Sequence, residues 1–120
     1  MPTNLFDLSG RVALVTGGSK GLGKAMARAF AEAGAGVVIS SRHEGELKAA
    51  SAEIVQGTGV RVTHVVADMT RRDDVSRLAD AAVAAMGKVD ILVNNAGSNL
   101  PQPIDQVRDE DWDKLIQLNL

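Results

Sequence analysis

Residues 16–23 read TGGSKGLG and follow directly on the apolar run RVALV. Four of the eight are glycine. Glycine loses more conformational freedom on folding than any other residue, so such a cluster marks a backbone that must take positive φ or approach something closely. Its position is as informative as its composition. A run of strand length precedes it. After it, Leu22, Ala25, Met26, Ala29, Phe30 and Ala33 recur at the spacing of one apolar helix face. In a parallel sheet the turn from a strand into the next helix lies at the strand's carboxyl end, where ligands bind. The helix behind it offers unpaired N–H groups and a partial positive charge, which suit a pyrophosphate. The spacing Gly17-x-x-x-Gly21-x-Gly23 excludes a P-loop, because Lys20 precedes Gly21 where that motif needs Gly-Lys-Ser/Thr. Taken alone, the stretch fits a plain structural turn as well as a phosphate cradle.

The pattern repeats along the chain. Apolar runs at Val12–Val15, Val37–Ile39, Val62–Ala67 and Val89–Val93 are mostly continuous, as in strands buried on both faces of a parallel sheet. Between them lie helical stretches. Gly34 ends the first. Glu44–Val55 forms a weaker second, bounded by GTG. Val75, Leu78, Ala79, Ala82, Val83 and Met86 mark the third, which Gly87 ends and which Thr70 with Asp73 opens in the manner of a capping box. This alternation predicts an α/β fold: a doubly wound, open parallel sheet with right-handed crossovers and helices on both faces, cut off after about four strands. Beyond it come a loop with Pro101 and Pro103 and a last helix from near Asp109, for which Trp112 reads as a packing anchor.

Composition narrows the function classes. The chain has 120 residues, 45% hydrophobic and 23% charged, with a net charge of −2. It is long enough for one modest domain. No basic field argues for nucleic acid or an anionic membrane. Cysteine is absent, which removes disulfides, thiolate nucleophiles and cysteine metal sites and favours a cytoplasmic setting. No apolar run approaches membrane-spanning length and the start does not read as a signal peptide. His43 and His64 lack metal-ligand spacing. Ser76 and Ser98 have no base placed beside them by spacing and read as surface residues.

Three strand ends raise the odds on a dinucleotide. After the second strand, an acidic residue about 20 residues past the glycine loop would accept from an adenosine ribose. This chain has Ser40, Ser41 and Arg42 there. A carboxylate would repel a 2′-phosphate, whereas an arginine can bind it bidentately. With Lys20, two cations stand near the expected ribose, which favours NADP(H) over NAD(H) and leaves NAD(H) possible. Asp68, after the third strand, fits an acceptor for an adenine amino group and fits a helix-capping role equally well. Asn94 and Asn95, after the fourth, must be hydrogen-bonded to backbone or ligand at the end of a buried strand.

Together these stretches resemble the short-chain dehydrogenase/reductase family. The family's T-G-x-x-x-G-x-G matches Thr16–Gly23, its D-V/M-T segment Asp68–Thr70, its N-N-A-G Asn94–Gly97, and its later asparagine Asn119 in Asn119-Leu120. The likeness runs from about Leu8 to the last residue. The opening resembles the branch of gluconate 5-dehydrogenases and 3-oxoacyl-carrier-protein reductases. The resemblance implies a Rossmann domain over residues 1–120, the N-terminal part of a longer single-domain enzyme that passes hydride between a nicotinamide and a small carbonyl or alcohol substrate. It implies that Gly17, Ser19, Lys20, Gly21, Leu22 and Gly23 line the phosphates and adenosine ribose. Ser41 and Arg42 would meet the 2′-phosphate, Asp68 and Met69 would flank adenine, and Asn95, Ala96 and Gly97 would approach the nicotinamide-side ribose. Asn119 would hold a water of the proton relay through its carbonyl. A homo-oligomer is implied in the same way.

The family's acid/base is a tyrosine in Y-x-x-x-K, with a serine upstream. Tyrosine is absent from this chain. The expectation is therefore a cofactor-binding portion that is inactive alone, with a non-catalytic dinucleotide-binding or sensor module as the rival reading. Ending after four strands would also leave VDILV at a sheet edge, which predicts poor solubility or dependence on a partner for the isolated polypeptide.

Overall fold

The computed structural model describes residues 7–95. It contains β1 (Val12–Thr16), α1 (Gly21–Glu32), β2 (Gly36–Ser41), α2 (Glu44–Val55), β3 (Val62–Val66), α3 (Arg72–Met86) and β4 (Ile91–Asn94) in that order. The strands form one sheet in the order β3-β2-β1-β4. All three pairings are parallel, with Val12 opposite Gly36, Ala13 opposite Ile91 and Val37 opposite Val62. The doubly wound α/β architecture expected from the strand–helix alternation is present.

Side-chain alternation along each strand divides the core in two. Val12, Leu14 and Val38 point to one face and pack on Val75, Leu78, Ala79 and Ala82 of α3. Val15, Val37 and Ile39 point to the other and pack on Ala27 and Ala31 of α1 and Leu47, Ala50 and Ile54 of α2. β1 is buried along its whole length, whereas β3 and β4, at the two edges, are half-buried throughout.

Three sequence readings need correction. The apolar stripe read along α1 coincides only in part with its buried face, to which Phe30 contributes. Leu22 is 67% exposed and Ala25 and Ala29 are also exposed, while Gly23, Ala27 and Ala31 are buried. The fully buried positions of the helix are all small residues. Thr70 and Asp73 do not form a capping box. Arg71 is the N-cap of α3 and makes no side-chain cap bond, because Thr70 turns back onto Asp68. The fourth strand begins at Ile91 rather than Val89. Before it, the Val12 N–H donates to the Asp90 side chain at 2.8 Å and the Asp90 N–H to the Val12 carbonyl at 2.8 Å. Gly87, left-handed at φ 85, closes α3 as expected.

Among the described residues no helix is long and apolar enough to cross a membrane. No group of three or more His, Cys, Asp or Glu among them could hold a metal ion.

Candidate dinucleotide site

The carboxyl ends of β1, β2 and β4 are stitched together through the glycine loop. The N–H groups of Gly17 and Gly18 both donate to the Ser40 carbonyl, at 2.8 and 3.2 Å, tying the loop to β2. The Thr16 hydroxyl donates to the Asn94 side-chain oxygen at 3.1 Å and accepts from the Asn95 N–H at 2.9 Å. The Asn95 side chain donates to the Gly17 carbonyl at 3.3 Å. Gly17 (φ 66) and Gly21 (φ 60) take left-handed conformations that a side chain would strain. Gly23 is required for a different reason: a Cβ there would overlap the Gly17 carbonyl and lie 2.7 Å from the Asn95 amide nitrogen. Ser40, Asn94 and Asn95, distant from the loop in sequence, thus help to hold one backbone shape.

That shape leaves the start of α1 open. Lys20 is its N-cap, in extended conformation, with no side-chain cap bond, and the first turn has no acidic residue. The first turn of α2 contains Glu44 and Glu46, and that of α3 Asp73 and Asp74. The positive end of the α1 dipole is therefore not offset within its own first turn. Lys20 has a side chain 78% exposed with its Nζ 4.0 Å from Glu46, and Ser19, 8% exposed, donates to the same carboxylate at 3.4 Å. Arg42 is exposed at the end of β2. Hydrogen bonds from the Thr70 hydroxyl and N–H to one oxygen of Asp68 hold its carboxyl below the usual carboxylate range, with the charges of Arg42 and Arg71 adding to the effect. Asp68 is thus an anion at neutral pH, and among the described residues its second oxygen accepts no hydrogen bond.

The family model for short chain dehydrogenases matches residues 11–120. The chain belongs to the short-chain dehydrogenase family. An uncharacterised oxidoreductase of Mycobacterium tuberculosis is 45% identical over 87% of this chain and 39% of its own length. A 3beta-hydroxysteroid dehydrogenase of Eggerthella lenta is 40% identical over 95% of this chain and 44% of its own. Among solved structures, L-sorbose reductase from Gluconobacter frateurii, complexed with NADPH and L-sorbose, superposes with a TM-score of 0.75 at 36% identity, over 91% of this chain and 41% of that one. The chain spans less than half the length of the curated relatives it matches. None of these three is described as a gluconate 5-dehydrogenase or an acyl-carrier-protein reductase.

The residues singled out in the sequence fall into three groups. Gly17, Ser19, Lys20, Gly21, Leu22, Gly23, Ser41, Arg42, Asp68 and Asn95 gather at the carboxyl edge of the sheet. Met69 does so only in part, since it is 8% exposed and packs into the core under α3. Ala96, Gly97 and Asn119, with Trp112 and Ser98, lie outside the described residues. Three residues escaped the sequence reading. Thr16 was visible only as the first letter of the motif, with no sign that its hydroxyl bridges two strands. At Gly18 a Cβ would lie 2.7 Å from the Ile39 side chain, a contact no local pattern announces. Glu46 looked like an ordinary first-turn acid of α2 and stands instead over Ser19 and Lys20.

Proposed function

We propose that this chain is the dinucleotide-binding part of an NADP(H)-dependent short-chain oxidoreductase acting on a small carbonyl or alcohol substrate. The observation that carries the reading is the open N-terminus of α1 with exposed Lys20 beside it and exposed Arg42 at the end of β2, where an NAD-type site would place a carboxylate. The residues fit the group. Loop N–H groups and the α1 dipole suit a pyrophosphate. A guanidinium and an ammonium suit a 2′-phosphate. The second oxygen of Asp68 suits an adenine amino group. The relative described with NADPH supports the same choice.

When bound, the nicotinamide supplies or accepts the hydride. The chain's own residues orient it: Gly17–Gly23 hold the backbone that faces the phosphates, and Asn95 locks that backbone from behind through Gly17. We assign Ala96 and Gly97 to the nicotinamide-side ribose and Asn119 to a relay water, as the family resemblance implies. The tyrosine that serves the family as acid/base is absent from these 120 residues. A cytoplasmic, oligomeric protein is the setting this reading implies. Calorimetric titration of the intact protein tests it. Arg42→Asp should weaken NADPH at least about tenfold more than NADH, since it replaces an attraction with a repulsion. Equal loss for both cofactors would overturn the NADP(H) assignment.

A further inference from the structure

Glu46 stands where the proposed reading has no use for an anion. Its carboxylate accepts from Ser19 at 3.4 Å and lies 4.0 Å from Lys20, so it engages both the hydroxyl and the ammonium nearest the α1 N-terminus. The neighbouring cations of α1 are matched elsewhere: Lys24 pairs with Glu53, and Arg28 pairs with Glu32 at 3.2 Å. Among the described residues Glu46 is thus the counter-ion of Lys20. It approaches from the first turn of α2.

We propose that Glu46 is a specificity-determining residue, a built-in competitor that lowers affinity for the 2′-phosphate and so keeps the site open to both cofactors; this rests on reading the Lys20–Arg42 side as the 2′-phosphate site. The physical argument is a competition for the same donors. A 2′-phosphate that takes Lys20 and Ser19 must displace the carboxylate from both. A phosphate monoester carries a charge between roughly −1.5 and −2 at neutral pH, and its repulsion from Glu46 acts within a Debye length at physiological salt. A cofactor without the 2′-phosphate meets neither cost. The two cations would otherwise give strong selection for NADP(H), and Glu46 offsets part of it.

The test is calorimetric titration of the intact protein with NADPH and NADH at low and high salt. Glu46→Gln keeps the shape and removes the charge. It should tighten NADPH by about three- to tenfold and leave NADH within about twofold, and the gain should shrink as salt screens the repulsion. Unchanged or weaker NADPH binding would overturn the proposal, and so would an equal gain for both cofactors. Lys20→Ala and Arg42→Asp separate the two ideas. If they weaken NADPH and NADH alike, the phosphate-site reading fails and takes Glu46 with it. If they discriminate while Glu46→Gln does not, only the role of Glu46 fails. A thermal melt of each variant confirms that the comparison is between folded proteins.

Discussion

Two small residues at the carboxyl edge of the sheet respond to the same kind of substitution in opposite ways. Gly23 is packed against the Gly17 carbonyl and the Asn95 amide, both held by other bonds, so an added methyl has no direction in which to push. Gly23→Ala should cost about 2 kcal/mol by overpacking and weaken both cofactors together, because it distorts the loop rather than one contact. Ser40 is fully buried and its hydroxyl has no hydrogen-bond partner among the described residues. Burial of an unpaired hydroxyl is unfavourable, so Ser40→Ala should leave stability unchanged or raise it. Denaturant melts of both variants check the pair. A loss above about 1 kcal/mol in Ser40→Ala would show that the hydroxyl has a partner after all. The two residues differ in legibility as well. The importance of Gly23 was readable from its place in the motif. The condition of Ser40 was not, since nothing in Ile39-Ser40-Ser41 says which hydroxyl is enclosed.

At the level of elements, the clamp at the other end of the sheet sets how β1 and β4 align. Partial burial opposes ionisation of Asp90, yet the Val12 N–H, Lys88 and Arg11 outweigh it and lower its pKa from 3.8. A carboxylate whose folded pKa is lowered stabilises the fold at pH values above its unfolded pKa. That contribution disappears as pH falls through the folded value. Asp90→Asn should therefore cost about 1 kcal/mol at neutral pH, and its gap from the parent should close as pH drops below 3.8. Equilibrium unfolding from pH 7 to pH 3 reads this directly, and a gap independent of pH would refute it. The helices show what periodicity can and cannot deliver. The bounds of α2 agree with the sequence reading, residue for residue. The inward face of α1 does so only in part, because hydropathy contrast pointed to Leu22 while the fully buried positions are Gly23, Ala27 and Ala31.

For the whole molecule, the sheet is covered unevenly. β1 and β2 lie inside it, and β4 is at one edge with its residues half-buried. An exposed edge with apolar neighbours invites pairing with another chain. The relatives extend well beyond the matched region. We expect residues 1–120 in isolation to aggregate or to melt without cooperativity, and the intact protein to form a defined oligomer that melts cooperatively. Light scattering after gel filtration, with calorimetric melts, would decide. A monodisperse 120-residue monomer with one sharp transition would overturn the expectation.

The sequence by itself determined the architecture, because a buried parallel strand must be apolar along its length and a crossover helix must start and stop at recognisable residues. It also marked the edge at which the candidate site gathers, through the glycines, asparagines and arginine at the ends of the apolar runs. Only the tertiary structure showed that TGGSKGLG is held in shape from outside, by Ser40, Asn94 and Asn95, and that its lysine is already matched by Glu46. These contacts join residues about 20 to 80 positions apart. Their distances are set by how helices settle on the sheet, which depends on packing summed over the whole core and is not encoded in any single segment.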